Sequence, residues 1–194
     1  MRESSIMCWI DLETTGLDPQ KDRILEIACV LTRGPEFEVV DACQHVTDEI
    51  LKIPLSAMSD VAREMHLSNG LIVESARADK TLWQVTCDVQ DLITKHSDLT
   101  DPANPTCMVL AGSSVHFDRG FLARHMSRLE SWLHYRNFDV SVLDTLARTV
   151  WPTVFAGRPP KDTAHRAMPD ILCSIAAARY YARMLGPQVQ AVAS

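Results

Sequence analysis

The segment Ile6-Met7-Cys8-Trp9-Ile10 constrains this chain more than any other, because five apolar residues in a row end abruptly on Asp11-Leu12-Glu13. A short unbroken apolar run reads as a strand covered on both faces. Side chains two apart on a strand share a face, so Asp11 and Glu13 reach one site at the strand's end. Paired carboxylates are ligands for hard cations such as Mg²⁺ or Mn²⁺. A bare D-x-E pair is also what a solvated strand end looks like, and short motifs often match by chance.

The rest of the chain supports a layered domain. Ile24 to Thr32 and Phe37 to His45 read as two further strands. Pro54 to His66 is a mixed helical segment closed by Ser68-Asn69-Gly70. Thr81 and Gln84 have capping-box spacing, and Leu82, Val85, Val89, Leu92 and Ile93 follow at helical period. Leu99 to Thr106 is a proline-rich loop before the apolar strand Met108 to Ala111. Phe117, Phe121, Leu122, Met126 and Leu129 mark a helix. Asn137 to Val140 is a short strand, with Ser141 as cap for a helix carrying Val142, Leu143, Leu146 and Val150. Trp151 to Pro160 reads as a long loop, and a last helix runs from Pro169 to about Leu185. This order predicts one three-layer α/β domain over residues 1–194, with a mixed sheet.

Composition narrows the partners. The net charge of −6 disfavours a grip on long duplex DNA, which needs many Lys and Arg on phosphates. A short nucleic acid stays open, because bound divalent cations supply positive charge locally. The six cysteines contain no C-x-x-C pair and read as reduced thiols of a cytoplasmic protein. The first apolar run is too short for a signal core or membrane span, so no membrane partner is expected. A mitochondrial address would require a leader outside these residues.

The longer run Trp9-Ile10-Asp11-Leu12-Glu13-Thr14-Thr15-Gly16-Leu17-Asp18 closely resembles the first motif of the DEDDh exonucleases. That family requires an aspartate opening a helix in mid-chain, and Val115-His116-Phe117-Asp118 fits. It also requires a histidine five residues before a last aspartate that begins an apolar helix. His165-Arg166-Ala167-Met168-Pro169-Asp170 fits, with Ile171-Leu172-Cys173 after it. Each residue alone has a plainer explanation, Asp118 and Asp170 as acids favoured near helix starts and His165 as a surface histidine. Together and in order they point to catalysis. The resemblance implies an RNase H-like fold, with two divalent ions held by Asp11, Glu13, Asp118 and Asp170. Mg²⁺ or Mn²⁺ is the expected cofactor and His165 the general base.

Within the family the chain is most similar to the oligoribonuclease branch, through His134-Tyr135-Arg136 and Asp139-Val140-Ser141. That likeness implies a homodimer that degrades very short single-stranded RNA, chiefly dinucleotides, from the 3′ end to 5′-nucleoside monophosphates. It implies that Leu17 wedges against the bases and that Ser114, His134, Arg136 and Ser141 cap the 5′ phosphate. Tyr135 would reach the partner's site. The chain departs from that branch at Val61, where a base-stacking tryptophan is usual, at Ser113 for asparagine, and at Thr14 for methionine. A broader exonuclease of single-stranded DNA or RNA stays open, as does a non-catalytic binding module of the same fold. A serine hydrolase is disfavoured, because Gly112-Ser113-Ser114-Val115-His116 lacks the second glycine of a nucleophile elbow. No H-E-x-x-H zinc motif is present.

Overall fold

The computed structural model describes residues 6–96, 108–161 and 165–192. The expected loop over residues 99–106 lies outside the described residues, as does Cys107. Strand β1 (Ile6–Thr14) sits at the centre of a five-stranded sheet. It pairs antiparallel with β2 (Ile24–Arg33), which pairs antiparallel with β3 (Glu38–Val46). On its other side β1 runs parallel to β4 (Met108–Gly112), and β4 parallel to β5 (Leu133–Asp139). The order is β3-β2-β1-β4-β5, the mixed sheet that the sequence predicts.

The helices are α1 (Asp60–Ser68), α2 (Leu71–Arg77), α3 (Leu82–Lys95), α4 (Val115–His125) and α5 (Ser127–Glu130), then α6 (Val140–Val150), α7 (Pro152–Ala156) and α8 (Ala167–Val192). Two 3₁₀ turns, Asp48–Lys52 and Leu55–Ala57, lead into α1. Alternation along β1 divides the core. Cys8, Ile10 and Leu12 face Val85, Val89 and Ile93 of α3 and Phe121 and Leu122 of α4. Trp9, with Ala28, Val30 and Ala111, faces Val140 and Ala147 of α6 and Ile171, Ile175 and Ala178 of α8. Both faces of the sheet are covered, which is why the strand reads as continuous apolar sequence.

Several local expectations need correction. The stretch Trp151 to Pro160 is not all loop, because Pro152 starts the short helix α7. The cap of α6 is Asp139 rather than Ser141, since the Asp139 side chain accepts from Ser141 N. Strand β5 begins at Leu133, four residues before the predicted start. It is an edge strand, so its polar stretch His134-Tyr135-Arg136-Asn137 carries no apolar signal. Helix α8 begins at Ala167, near Pro169 as expected, but extends beyond Leu185 to Val192. The Thr81–Gln84 capping box forms as expected. Among the described residues, Cys8, Cys29, Cys43 and Cys87 carry free thiols.

Candidate active site

Asp11 and Glu13 continue the β1 face that carries Trp9, and so point toward α8. The first turn of α8 brings Asp170 to meet them. One carboxylate oxygen from each of Asp11, Glu13 and Asp170 lies within 4.8 Å of the others. Asp118, in the first turn of α4, is buried beside them. Its Oδ1 accepts from Leu12 N at 3.0 Å, the backbone amide between the two β1 acids. Lys161 Nζ stands 4.0 Å from Asp170 Oδ1.

This crowding changes protonation. Burial, and then the charges of Asp118, Asp170 and Glu13, push Asp11 up to about 9. Burial first, with Asp170 and Glu26, pushes Glu13 up to about 8. Burial pushes Asp118 up to about 7, opposed by its backbone hydrogen bonds. Without a counter-charge the cluster therefore holds protons.

His165 lies five residues before Asp170, exposed, with φ at 47°. A left-handed conformation is uncommon for a residue with a Cβ. The neighbouring contacts fix it. Asn69 Nδ2 donates to the His165 carbonyl at 2.7 Å. Arg166 grips Glu26 with Nε and Nη2, at 2.9 and 2.8 Å, and Glu74 with Nη1 and Nη2, at 3.0 and 2.6 Å. Ala167 N donates to Glu26 as well. Those bonds hold the fully buried Glu26 carboxyl below its usual range despite the cost of burial. His66, also fully buried, places Nε2 3.0 Å from the Thr14 carbonyl and 3.8 Å from Glu13 Oε2.

A groove of about 770 Å³ opens beside Glu13. Leu17 and Val61 stand on it, 80% and 78% exposed, with Met58, Met65 and Phe117 also lining it. Val61 is thus on the groove wall, and Phe117 is the one aromatic ring among the described lining residues. Ser114 and Ser141 are brought together by Asp139, whose Oδ1 accepts from Ser114 N, Ser141 N and Ser141 Oγ. His134, Tyr135 and Arg136 lie earlier on β5. His134 lies five residues back along β5, about 17 Å at about 3.3 Å per residue. There His134 stacks on Tyr135 at 4.4 Å between ring centroids, and Arg136 sits 5.4 Å from the Tyr135 ring. Tyr135 is 74% exposed.

Residues 8–178 match the exonuclease family model. The chain belongs to the exonuclease family. Among curated relatives, the oligoribonuclease of Mycobacterium tuberculosis (strain ATCC 25177 / H37Ra) is 39% identical over 181 residues, covering 91% of this chain and 80% of the relative. The oligoribonuclease of Corynebacterium glutamicum (strain R) is 40% identical over 180 residues, covering 91% and 78%. Membership therefore extends to the oligoribonuclease group. Exonuclease I from Methylocaldum szegediense superposes with a TM-score of 0.68 at 17% identity. It is a longer protein, of which this chain spans 40%, against 92% of this chain aligned. An E. coli exonuclease I in complex with an oligonucleotide gives a TM-score of 0.62 at 20% identity, covering 91% of this chain and 40% of that one. At that identity the likeness speaks for the fold.

The donor set of this exonuclease-family chain suits divalent metal. It consists of carboxylate oxygens alone, with no thiolate or imidazole among the three clustered groups, so it fits a hard cation. Sequence reading missed the supports around it. Glu26, Glu74 and Arg166 carry no local signal of a shared role, yet they build the start of α8. Asp139 was visible only as part of D-V-S, while its structural work is to hold both serines. No helix among the described residues is long and apolar enough to cross a membrane.

Proposed function

We propose that this chain is a divalent-metal-dependent 3′-to-5′ exoribonuclease of very short RNA, chiefly dinucleotides, releasing 5′-nucleoside monophosphates. The observation that carries the proposal is the convergence of Asp11, Glu13 and Asp170 within 4.8 Å at the head of α8, the helix that His165 precedes by two residues. Asp11, Glu13 and Asp170 would hold Mg²⁺ or Mn²⁺, and Asp118 would complete the surroundings of a second ion. Such ions, when bound, stabilise the attacking and leaving oxygens of an in-line displacement. His165 takes the proton of the attacking water. Leu17 wedges between the bases of the substrate, whose 3′ end lies in the groove against Val61. Ser114 and Ser141 face the 5′ phosphate.

The reading includes a homodimer. Tyr135 projects with His134 stacked on one side and Arg136 near its ring, on edge strand β5. That unit is suited to reach a second copy, where Arg136 could pair with phosphate as a planar fork. Sedimentation at micromolar concentration should give a dimer; a monomer counts against this part.

The decisive experiment is single-turnover hydrolysis of 5′-phosphorylated RNAs of two to ten nucleotides. A sharp preference for two, abolished by chelator and restored by Mn²⁺ or Mg²⁺, is the expected result. Full activity in excess chelator would overturn the metal assignment. One observation favours a second reading, a broader exonuclease of single-stranded DNA or RNA. Val61 offers an aliphatic surface, which lacks the stacking face of an aromatic side chain, about 1–3 kcal/mol per base. A flat length profile with equal cleavage of DNA would select that reading.

A further inference from the structure

We infer that Asn69 is a positioning residue that holds His165 in register with the carboxylate cluster. The inference rests on His165 acting as the base in the proposed reaction. His165 is exposed and itself adopts the left-handed φ of 47°. Strained backbone persists where surrounding contacts over-determine it, and such positions gather at functional sites. Asn69 Nδ2 donates to the carbonyl of His165 itself, at 2.7 Å across 96 residues of sequence. The other end of the same amide is committed too, since Asn69 Oδ1 accepts from Leu71 N at 3.1 Å. Asn69 is thereby a rigid bracket between the first residue of α2 and the carbonyl of the proposed base. Gly70, with φ at 82°, makes the tight turn that lets α1 hand over to α2 at this point.

The placement of Asn69 has a consequence for substrate. It follows directly on α1, the helix whose Val61, Ala62 and Met65 line the groove. One element therefore carries both the wall that meets the bases and the bracket that meets His165. Arg166, gripping Glu26 of β2 and Glu74 of α2, fixes the next residue along. An error of about 1 Å in such placement can cost on the order of 100-fold in rate.

Two variants separate orientation from folding. Asn69→Asp keeps an oxygen for Leu71 N but replaces the donor to His165 with an acceptor. Asn69→Ala loses both. On the plateau of the pH–rate profile, both should lower kcat by about 10- to 100-fold, a part of the 10²–10⁴ that a general base contributes. KM for a dinucleotide and Mn²⁺ affinity by calorimetry should stay within about twofold. In a His165→Ala background the Asn69 substitutions should add no further loss, because both act through one group. Asn69→Asp at the parental rate overturns the inference, as does an Asn69 effect that persists in full without His165. A His165→Ala chain at the parental rate instead overturns the base assignment, and the inference falls with it.

Discussion

Asp11→Asn is expected to abolish turnover and, at alkaline pH without metal, to make the chain more stable than its parent. The two effects share one cause. Asp11 contributes an oxygen to the partly buried set of three carboxylates, so losing it removes a proposed ion ligand. Even outer partners of metal ligands cost about 10- to 100-fold when removed, so a loss above 100-fold is expected here. The same burial, with Asp118, Asp170 and Glu13 nearby, raises the group to about 9. For an acid raised in the folded state, the native chain binds the proton more tightly than the unfolded one. Its stabilising contribution is complete below the unfolded value near 4 and is lost as pH rises toward about 9. Asparagine does not titrate, so the variant escapes that loss. In chelator, the melting temperature of Asp11→Asn should exceed that of the parent by a margin that widens from pH 7 to pH 9. Comparing the two chains cancels the titration of buried His66 and Cys29, which both retain. Adding Mn²⁺ should raise the parent and leave the variant nearly unmoved. A normal rate, or a margin that closes as pH rises, would remove Asp11 from the proposed centre.

How much of this was readable beforehand depends on what each residue's signal was. The β1 motif was legible because burial on both faces writes an unbroken apolar run, and the acids interrupt it at the strand's end. The central strands and α3 followed from period and capping for the same reason. Helix α2 was not legible. It is seven residues long and starts from Gly70, which offers no side-chain cap. Edge strand β5 was shortened in the reading because its exposed polar residues show no alternation. Within the site, Asp118 was found, but its hydrogen bond to Leu12 N joins residues 106 apart. The Glu26–Arg166–Glu74 bridge spans even more sequence, and no local pattern encodes such pairs. Sequence thus names the groups proposed to bear the chemistry, while the contacts around them are set by the packing of α1, α2 and α8.

His165→Ala is expected to lower kcat by about 10²–10⁴, the range for loss of a general base, while leaving Mn²⁺ affinity and thermal stability unchanged. The separation follows from geometry. The clustered ligand atoms belong to Asp11, Glu13 and Asp170, and His165 is not among them. Its side chain is exposed, so truncation opens no core cavity. The carbonyl bond from Asn69 and the grip of Arg166 are made by backbone and by the next residue, and both survive the change. The exposure also allows a chemical rescue. Free imidazole should reach the vacated position and restore part of the rate, in proportion to its concentration, without altering KM. Asp11→Asn should show no such rescue, because imidazole cannot replace a carboxylate ligand in an oxygen-donor site. Parental kcat in His165→Ala would assign the proton transfer to another group. Lost metal affinity in that variant would instead place the histidine in the ion's own surroundings, so the two measurements together decide between a base that touches water and a ligand that touches metal.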